Sequence, residues 1–346
     1  MRAVVYDEYR TTPELREVPD PACPPDGAVV AVRATGVCRS DWHAWQGHEP
    51  VPLPHIPGHE LAGVIAEVGT AVRRWRVGAR VTVPFVCGCG ICDHCAAGDA
   101  QVCPAQTQPG FTGPGSFAER VAIHGADTNL VALPEGLDFV TAASLGCRFA
   151  TAYRAITAHG RLAAGQWLAV HGCGGVGLSA VMIGAALGGR VVAVDVSEAA
   201  LEHARRLGAE AVIDARGGSA DIGIRRLTAG GVHVSIDALG SAETAVSSVR
   251  SLRRRGRHVQ VGLLFGPDSA TPLPLDLIVA QELEVYGSHG MAAADYPPML
   301  SMIAAGELQP QHLVGRTIDL EEAAEALVAM SGPPGAAGMT VVALDR

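Results

Sequence analysis

The sequence predicts an α/β chain of two domains, a mainly-β unit joined to a doubly wound parallel sheet. Three observations carry that prediction. The chain has 346 residues, more than one ordinary core accommodates. Residues 1 to about 147 are rich in Val, Gly and Pro, with short apolar runs broken by turns, such as Ala28-Val29-Val30-Ala31-Val32 and Leu61-Ala62-Gly63-Val64-Ile65. After Thr151 the texture changes to apolar strands alternating with helical stretches, the mark of a doubly wound sheet.

The elements follow in order. Trp167–His171 reads as a strand and Val176–Leu187 as a helix; Arg190–Asp195 and Glu198–Leu207 repeat the pair. Val232–Ala238, His258–Gly262 and Leu283–Gly287 supply further strands. The tail holds a helical stretch, Leu320–Met330, and a final strand, Thr340–Leu344, enough to fold back onto the first unit. The expected division is therefore 1–147 with 289–346 as one discontinuous domain, and 148–288 as the other.

Composition excludes several functions. Apolar residues make up 48%, which rules out a disordered chain. The formal net charge is −9 and no dense basic run exists, so no nucleic-acid partner is expected. All 26 basic residues are Arg, so no lysine can act as a base or form a Schiff base. Trp167 to Gly189 lacks charge and is long enough to cross a bilayer, but its seven glycines and a histidine suit a buried strand, turn and helix. No secretory signal is visible after Met1, so a cytoplasmic location without a membrane partner is expected.

Gly172-Cys173-Gly174-Gly175-Val176-Gly177 matches G-x-G-x-x-G between a strand and a helix. Gly172 makes the tight turn, Gly174 lets backbone approach a pyrophosphate, and Gly177 lets helix and strand pack closely. The helix N-terminus offers free N–H groups to the phosphates. The next strand ends at Asp195, 18 residues after Gly177, where a carboxylate bonds ribose hydroxyls and repels a 2′-phosphate. Val196-Ser197-Glu198 brings no Arg, so NAD is expected rather than NADP. The bland reading is a Gly-rich turn and a surface Asp.

Nine cysteines are present, and Cys89, Cys92, Cys95 and Cys103 share one loop. Four thiolates match tetrahedral zinc and leave no position for substrate, so this site is expected to be structural. An iron–sulfur cluster or free thiols are the alternatives; a nucleic-acid-binding finger is disfavoured because no basic helix accompanies the loop. Cys87, Cys23 and Cys173 read as packing residues. A second set, Cys38, His59, Glu60 and Cys147, is dispersed. Two Cys and one His with an open position form a known catalytic zinc arrangement.

Around these residues, Gly36-Val37-Cys38-Arg39-Ser40-Asp41-Trp42-His43, Pro57-Gly58-His59-Glu60-Leu61-Ala62-Gly63 and Leu145-Gly146-Cys147-Arg148-Phe149-Ala150-Thr151 resemble the zinc-containing medium-chain alcohol dehydrogenases. The cysteine spacing, the glycine loop and Asp195 follow in that family's order, and the resemblance covers nearly the whole chain. It implies a GroES-like catalytic domain with a Rossmann cofactor domain, two zincs per chain, and a homodimer or homotetramer. Cys38, His59 and Cys147 would bind the catalytic zinc, with Glu60 beside it or exchanging onto it. Asp41 would fix the His59 ring. Ser40 would take the substrate proton and pass it, through the nicotinamide ribose, to His43; as bland alternatives Ser40 is a helix N-cap and His43 a solvated surface group. Arg39 would meet the pyrophosphate. Thr151 and Val176 would press on the nicotinamide, and Val261, Leu263, Ser288 and Gly290 would line its end of the cleft. One departure stands out. The family often carries a basic residue near the C-terminus that touches the pyrophosphate, whereas here the segment reads Gly338-Met339-Thr340-Val341.

The implied reaction is reversible oxidation of a primary or secondary alcohol to aldehyde or ketone, with hydride passing to NAD. Trp42, Trp45, His48, Glu49 and Phe85 stand near the expected pocket mouth, where they either select the substrate or simply pack. A polyol, amino-alcohol or thiol-adduct formaldehyde dehydrogenase is the alternative within the family. A zinc-free quinone reductase relative is opposed by the complete ligand set, and a non-catalytic NADH-binding sensor is the alternative of another class.

Overall fold

A computed structural model describes residues 1–332 and 337–344, and every count below refers to those residues. In the N-terminal half, Ala28–Val37, Glu60–Val68, Arg80–Val83 and Val131–Ala132 pair antiparallel in succession, and Arg120–Ile123 pairs with Ala28–Val37. Two strands from the far end complete a seven-stranded sheet: Met339–Ala343 runs antiparallel to Ala28–Val37, and Val314–Ile318 lies parallel outside it. The tail thus returns to the first sheet, as its strand pattern predicts. Its helical stretch is a 3₁₀ turn, Leu320–Glu322, running into the α-helix Ala323–Ala329.

The second sheet has six parallel strands in the order Ala211–Asp214, Arg190–Asp195, Trp167–His171, Val232–Asp237, Leu252–Gln260, Glu284–Gly287. The order reverses between the strands ending at His171 and Asp237, which opens a crevice at their carboxyl ends. The central strands Trp167–His171 and Val232–Asp237 are buried on both faces. Leu168 and Val170 enter one core with Leu178, Val181 and Ile183 of the helix Gly175–Ala186; Trp167 and Ala169 enter the opposite core with Ile224 and Val249. That two-sided burial explains the near-continuous apolar run.

One expected strand begins earlier than its apolar pattern suggests. Leu252–Gln260 includes the exposed run Arg253-Arg254-Arg255, whose charges mask it in the sequence. Arg255 has left-handed backbone (φ 59°), and the pairing register shifts between Val232 and Val234. A bulge thus interrupts the alternation a strand prediction relies on. No described helix is long and apolar enough to cross a membrane.

Candidate active site

The dispersed set is assembled by three elements. Helix Arg39–Trp45 starts at Cys38, whose extended backbone (φ −116°, ψ 154°) makes it the N-cap in place of Ser40. Asp41 Oδ2 accepts from the Cys38 N–H at 3.1 Å, and its Oδ1 accepts from the Gly58 N–H at 3.0 Å and from His59 Nδ1 at 2.8 Å. One buried carboxylate thereby ties the helix start to the segment carrying His59. With Nδ1 as donor, Nε2 is left as a lone pair, and it is buried with no partner among the described residues. Cys147 sits on a π-helical turn, Leu145–Phe149, that continues into helix Ala150–Arg154. Glu60 opens the strand Glu60–Val68.

The ligand atoms of Cys38, His59, Glu60 and Cys147 all lie within 4.8 Å of one another. An orphaned imidazole nitrogen beside two sulfurs is a donor set suited to zinc. A hydrogen bond from Cys147 holds the Cys38 thiol well below its ordinary range, aided by the Arg148 and His59 charges. Burial disfavours a charged His59, but Asp41 outweighs it and raises the imidazole well above its usual value, so a metal on Nε2 would take the place of a proton there. Burial lifts the Glu60 carboxyl, against the pull of Arg148.

In the loop cluster, Cys89, Cys92, Cys95 and Cys103 likewise keep their sulfurs within 4.8 Å. The Cys89 N–H points at Cys103 Sγ at 3.4 Å, and the Gly90 N–H at Cys95 Sγ at 3.4 Å. Backbone N–H groups of Ile91 and Cys92 bring the Cys89 thiol down to about 6. These amides and thiols fit a closed four-sulfur metal site. Cys87 stays outside, buried beside the Pro84 carbonyl at 3.6 Å.

At the glycine loop, Gly172 has φ 89°, and a Cβ on Gly177 would stand 1.7 Å from the Gly172 carbonyl oxygen. A Cβ on Gly174 would meet nothing within 4 Å, so open space faces the start of helix Gly175–Ala186. Asp195 is held by the Cys173 N–H at 2.6 Å and the Ser197 N–H at 2.8 Å. The hydroxyls of Thr151 and Ser288 are buried without partners among the described residues. Open space at a helix N-terminus, a fixed carboxylate and two orphaned hydroxyls fit a dinucleotide.

Other candidate residues fall as follows. Ser40 Oγ is 3.9 Å from Cys38 Sγ. His43 is half-buried, with Nδ1 3.0 Å from His48 Nδ1 and its ring 4.6 Å from that of Phe265. Burial, with His48 and Arg39 nearby, pulls it down to about 4. Arg39 donates to the Met330 carbonyl at 2.6 Å. Val261, Leu263 and Ser288 line a cavity of about 620 Å³, together with Asp99 and Gln101 of the cysteine loop. Val176 packs on the core, and Gly290 faces Phe85. Trp45 belongs to a core with Tyr6, Val51 and Phe111, so its role is packing. Trp42 donates to Ser331 Oγ at 2.9 Å.

Phe85, expected near the pocket mouth, lies 6.0 Å from the His59 ring. Three further residues join the site without a sequence assignment: Phe111 flanks the His59 ring at 5.1 Å, His289 meets Phe85 at 5.1 Å, and Phe265 covers His43. Arg148 is the fourth. A lone charged residue in the largely apolar Leu145–Ala152 run is a legible sign that a carboxylate meets it.

Comparison with known proteins agrees with this geometry. Residues 24–135 match the family described as alcohol dehydrogenase GroES-like domain, and residues 175–305 the family described as zinc-binding dehydrogenase. An alcohol dehydrogenase of Geobacillus stearothermophilus is 35% identical over 312 residues, 89% of this chain and 90% of that protein. A sorbitol dehydrogenase of Halalkalibacterium halodurans is 31% identical over 327 residues, 93% of this chain and 94% of the other. The solved alcohol dehydrogenase of Thermus sp. ATN1 superposes with a TM-score of 0.91 at 29% identity, over 99% of this chain and 100% of its own.

Proposed function

The chain belongs to the zinc-containing medium-chain alcohol dehydrogenase family, and from that premise we propose how its own residues carry out zinc-dependent, NAD-linked interconversion of an alcohol and its aldehyde or ketone. The observation that carries the reading is the unpartnered, buried His59 Nε2 set between Cys38 and Cys147.

When bound, the metal supplies a Lewis acid that acidifies a hydroxyl, and the nicotinamide supplies the hydride acceptor. The chain does the rest. Cys38, His59 and Cys147 would hold the catalytic metal, with Asp41 fixing the tautomer that turns the Nε2 lone pair inward. Cys89, Cys92, Cys95 and Cys103 would hold the structural one. Ser40 takes the substrate's hydroxyl proton and passes it, through the nicotinamide ribose, toward His43, where burial depresses the pKa to about 4 so that the ring would hand a proton on to solvent and not retain it. Gly172, Gly174, Gly175 and Gly177 would admit the pyrophosphate, Asp195 would take the adenosine ribose, and Thr151, Val176, Val261, Leu263, Ser288 and Gly290 would enclose the nicotinamide. Phe85, Phe111 and Phe265 exclude water from the reacting centre.

We assign residues 1–147 with 289–346 to the catalytic domain and 148–288 to the cofactor domain, a homodimer or homotetramer, and a cytoplasmic location. The open edge strand Glu284–Gly287, with Val285 exposed, supports pairing between cofactor domains. A polyol or amino-alcohol substrate is the second reading. It is favoured by Glu49, a half-buried carboxyl lifted by burial and pulled back by His59, and by the similarity to a sorbitol dehydrogenase. A panel of simple alcohols, diols and amino alcohols, followed by NADH absorbance with zinc analysis, tests both. Turnover of any of them with about two zincs per chain is expected; full turnover after complete zinc removal would overturn the mechanism.

A further inference from the structure

Arg148 directly follows Cys147, and its side chain is 8% exposed. A guanidinium cannot give up its proton, so at this depth it must be paired. Its backbone N–H donates to Glu60 Oε1 at 3.0 Å, Nε donates to the same oxygen at 2.9 Å, and Nη2 donates to Oε2. Both Glu60 oxygens are engaged, although this carboxylate lies within ligand distance of the dispersed metal set.

The fork has no slack. A Cβ on Gly36 would stand 2.2 Å from Glu60 Oε2 and 2.8 Å from Arg148 Nη2. A Cβ on Gly175 would stand 2.3 Å from Arg148 Cδ and 3.3 Å from Nη1. The same side chain therefore runs from Glu60 to the first residue of the 12-residue helix behind the glycine loop. Nη1 donates to no group among the described residues, and it lies at that helix start. Arg39, the other candidate, donates Nη1 to the Met330 carbonyl, and the strand Met339–Ala343 carries no basic residue.

We propose that Arg148 is a positioning residue with two tasks: it holds Glu60 off the metal position, and through Nη1 it supplies the positive charge beside the pyrophosphate at Gly174–Gly175. The proposal rests on the dinucleotide reading of Gly172–Gly177. One guanidinium then serves both the metal set and the phosphates, which accounts for the missing basic residue near the C-terminus.

The cofactor task is tested on the zinc-loaded double variant E60Q/R148M, in which a neutral pair replaces the buried ion pair and preserves the fold. NADH and ADP-ribose are expected to bind about tenfold more weakly, with a shallower salt dependence, while adenosine binding is unchanged. Wild-type affinity for NADH in that variant overturns the cofactor task. Failure of the wild-type protein itself to bind NADH overturns the dinucleotide reading and the proposal with it. The metal task is read from the visible spectrum of cobalt-substituted protein. R148M alone is expected to show altered d–d bands as Glu60 reaches the metal, and E60Q/R148M to restore them. Bands unchanged in R148M, or R148M unable to fold while the double variant keeps altered bands, overturn the metal task.

Discussion

The two candidate metal sites of this chain are built in opposite ways. Cys89, Cys92, Cys95 and Cys103 come from one 15-residue loop, three of them partly exposed, and are steadied by backbone N–H groups of the same loop. Cys38, His59 and Cys147 come from three elements, lie buried, and are steadied by side chains far away in sequence, Asp41 and the Glu60–Arg148 pair. A local site needs its metal to hold its shape, because few other contacts order the loop. A dispersed site is ordered by the fold before metal arrives. Chemistry needs the second kind, since a nucleophile or hydride must meet a centre whose position does not depend on the ligand that reacts there.

The contrast breaks most visibly at Cys38. Cys38→Ser is expected to lower kcat/KM by roughly 10³-fold or more, with the far-ultraviolet spectrum and melting temperature nearly unchanged and zinc falling from two to one per chain. Retained activity would mean that the buried set is not the catalytic site. At the loop cluster the opposite partition is expected. Cys95→Ser removes the other zinc and costs roughly 3 kcal/mol of stability, read as a lower denaturant midpoint and faster hydrogen exchange in residues 88–104. Because Asp99 and Gln101 wall the cleft, KM should rise more than kcat falls. An unchanged midpoint would deny the loop its structural role.

The difference also explains what could be read in advance. The loop cluster is legible from spacing alone, because local geometry and sequence separation are the same thing there. Strands Trp167–His171 and Arg190–Asp195 are legible because burial on both faces leaves uninterrupted apolar runs. The dispersed ligands needed family resemblance, since nothing local links Cys38 to Cys147. The Glu60–Arg148 contact, 88 residues apart, and the closure of Phe265 over His43 are products of tertiary packing. Periodicity does not encode them. A buried arginine signals only that some carboxylate is near, without saying which.

Asp41 measures how much of the dispersed site's order comes from its supports. It touches no reacting atom, yet it accepts from Cys38, Gly58 and His59 together. Asp41→Asn keeps the shape but makes one position a donor, so either the His59 tautomer or a backbone bond is lost. Roughly 10–100-fold weaker catalytic zinc binding is expected, measured by competition with a chelator, with the loop zinc unaffected. Equal retention of both zincs would mean that backbone packing, not this carboxylate, orders the site.

The smallest expected effect concerns a group outside both candidate metal sets, and it is needed to interpret acid loss at either. His171 ends a central strand, fully buried, and its Nε2 has no partner among the described residues. Burial pulls it down to about 3, with His258 adding to the effect. The unfolded chain therefore binds a proton near pH 6.5 that the native chain refuses until about 3. A depressed folded-state pKa makes the native state whole above pH 6.5 and progressively weaker below it. Between pH 6.5 and 5.5 this one histidine should cost about 1 kcal/mol. Urea midpoints of zinc-loaded protein over that interval should fall by that increment, and His171→Asn should flatten the slope by up to one proton. Metal release by thiolate protonation would persist in the same variant, so a slope that His171→Asn leaves untouched would assign acid lability to the metal sites instead.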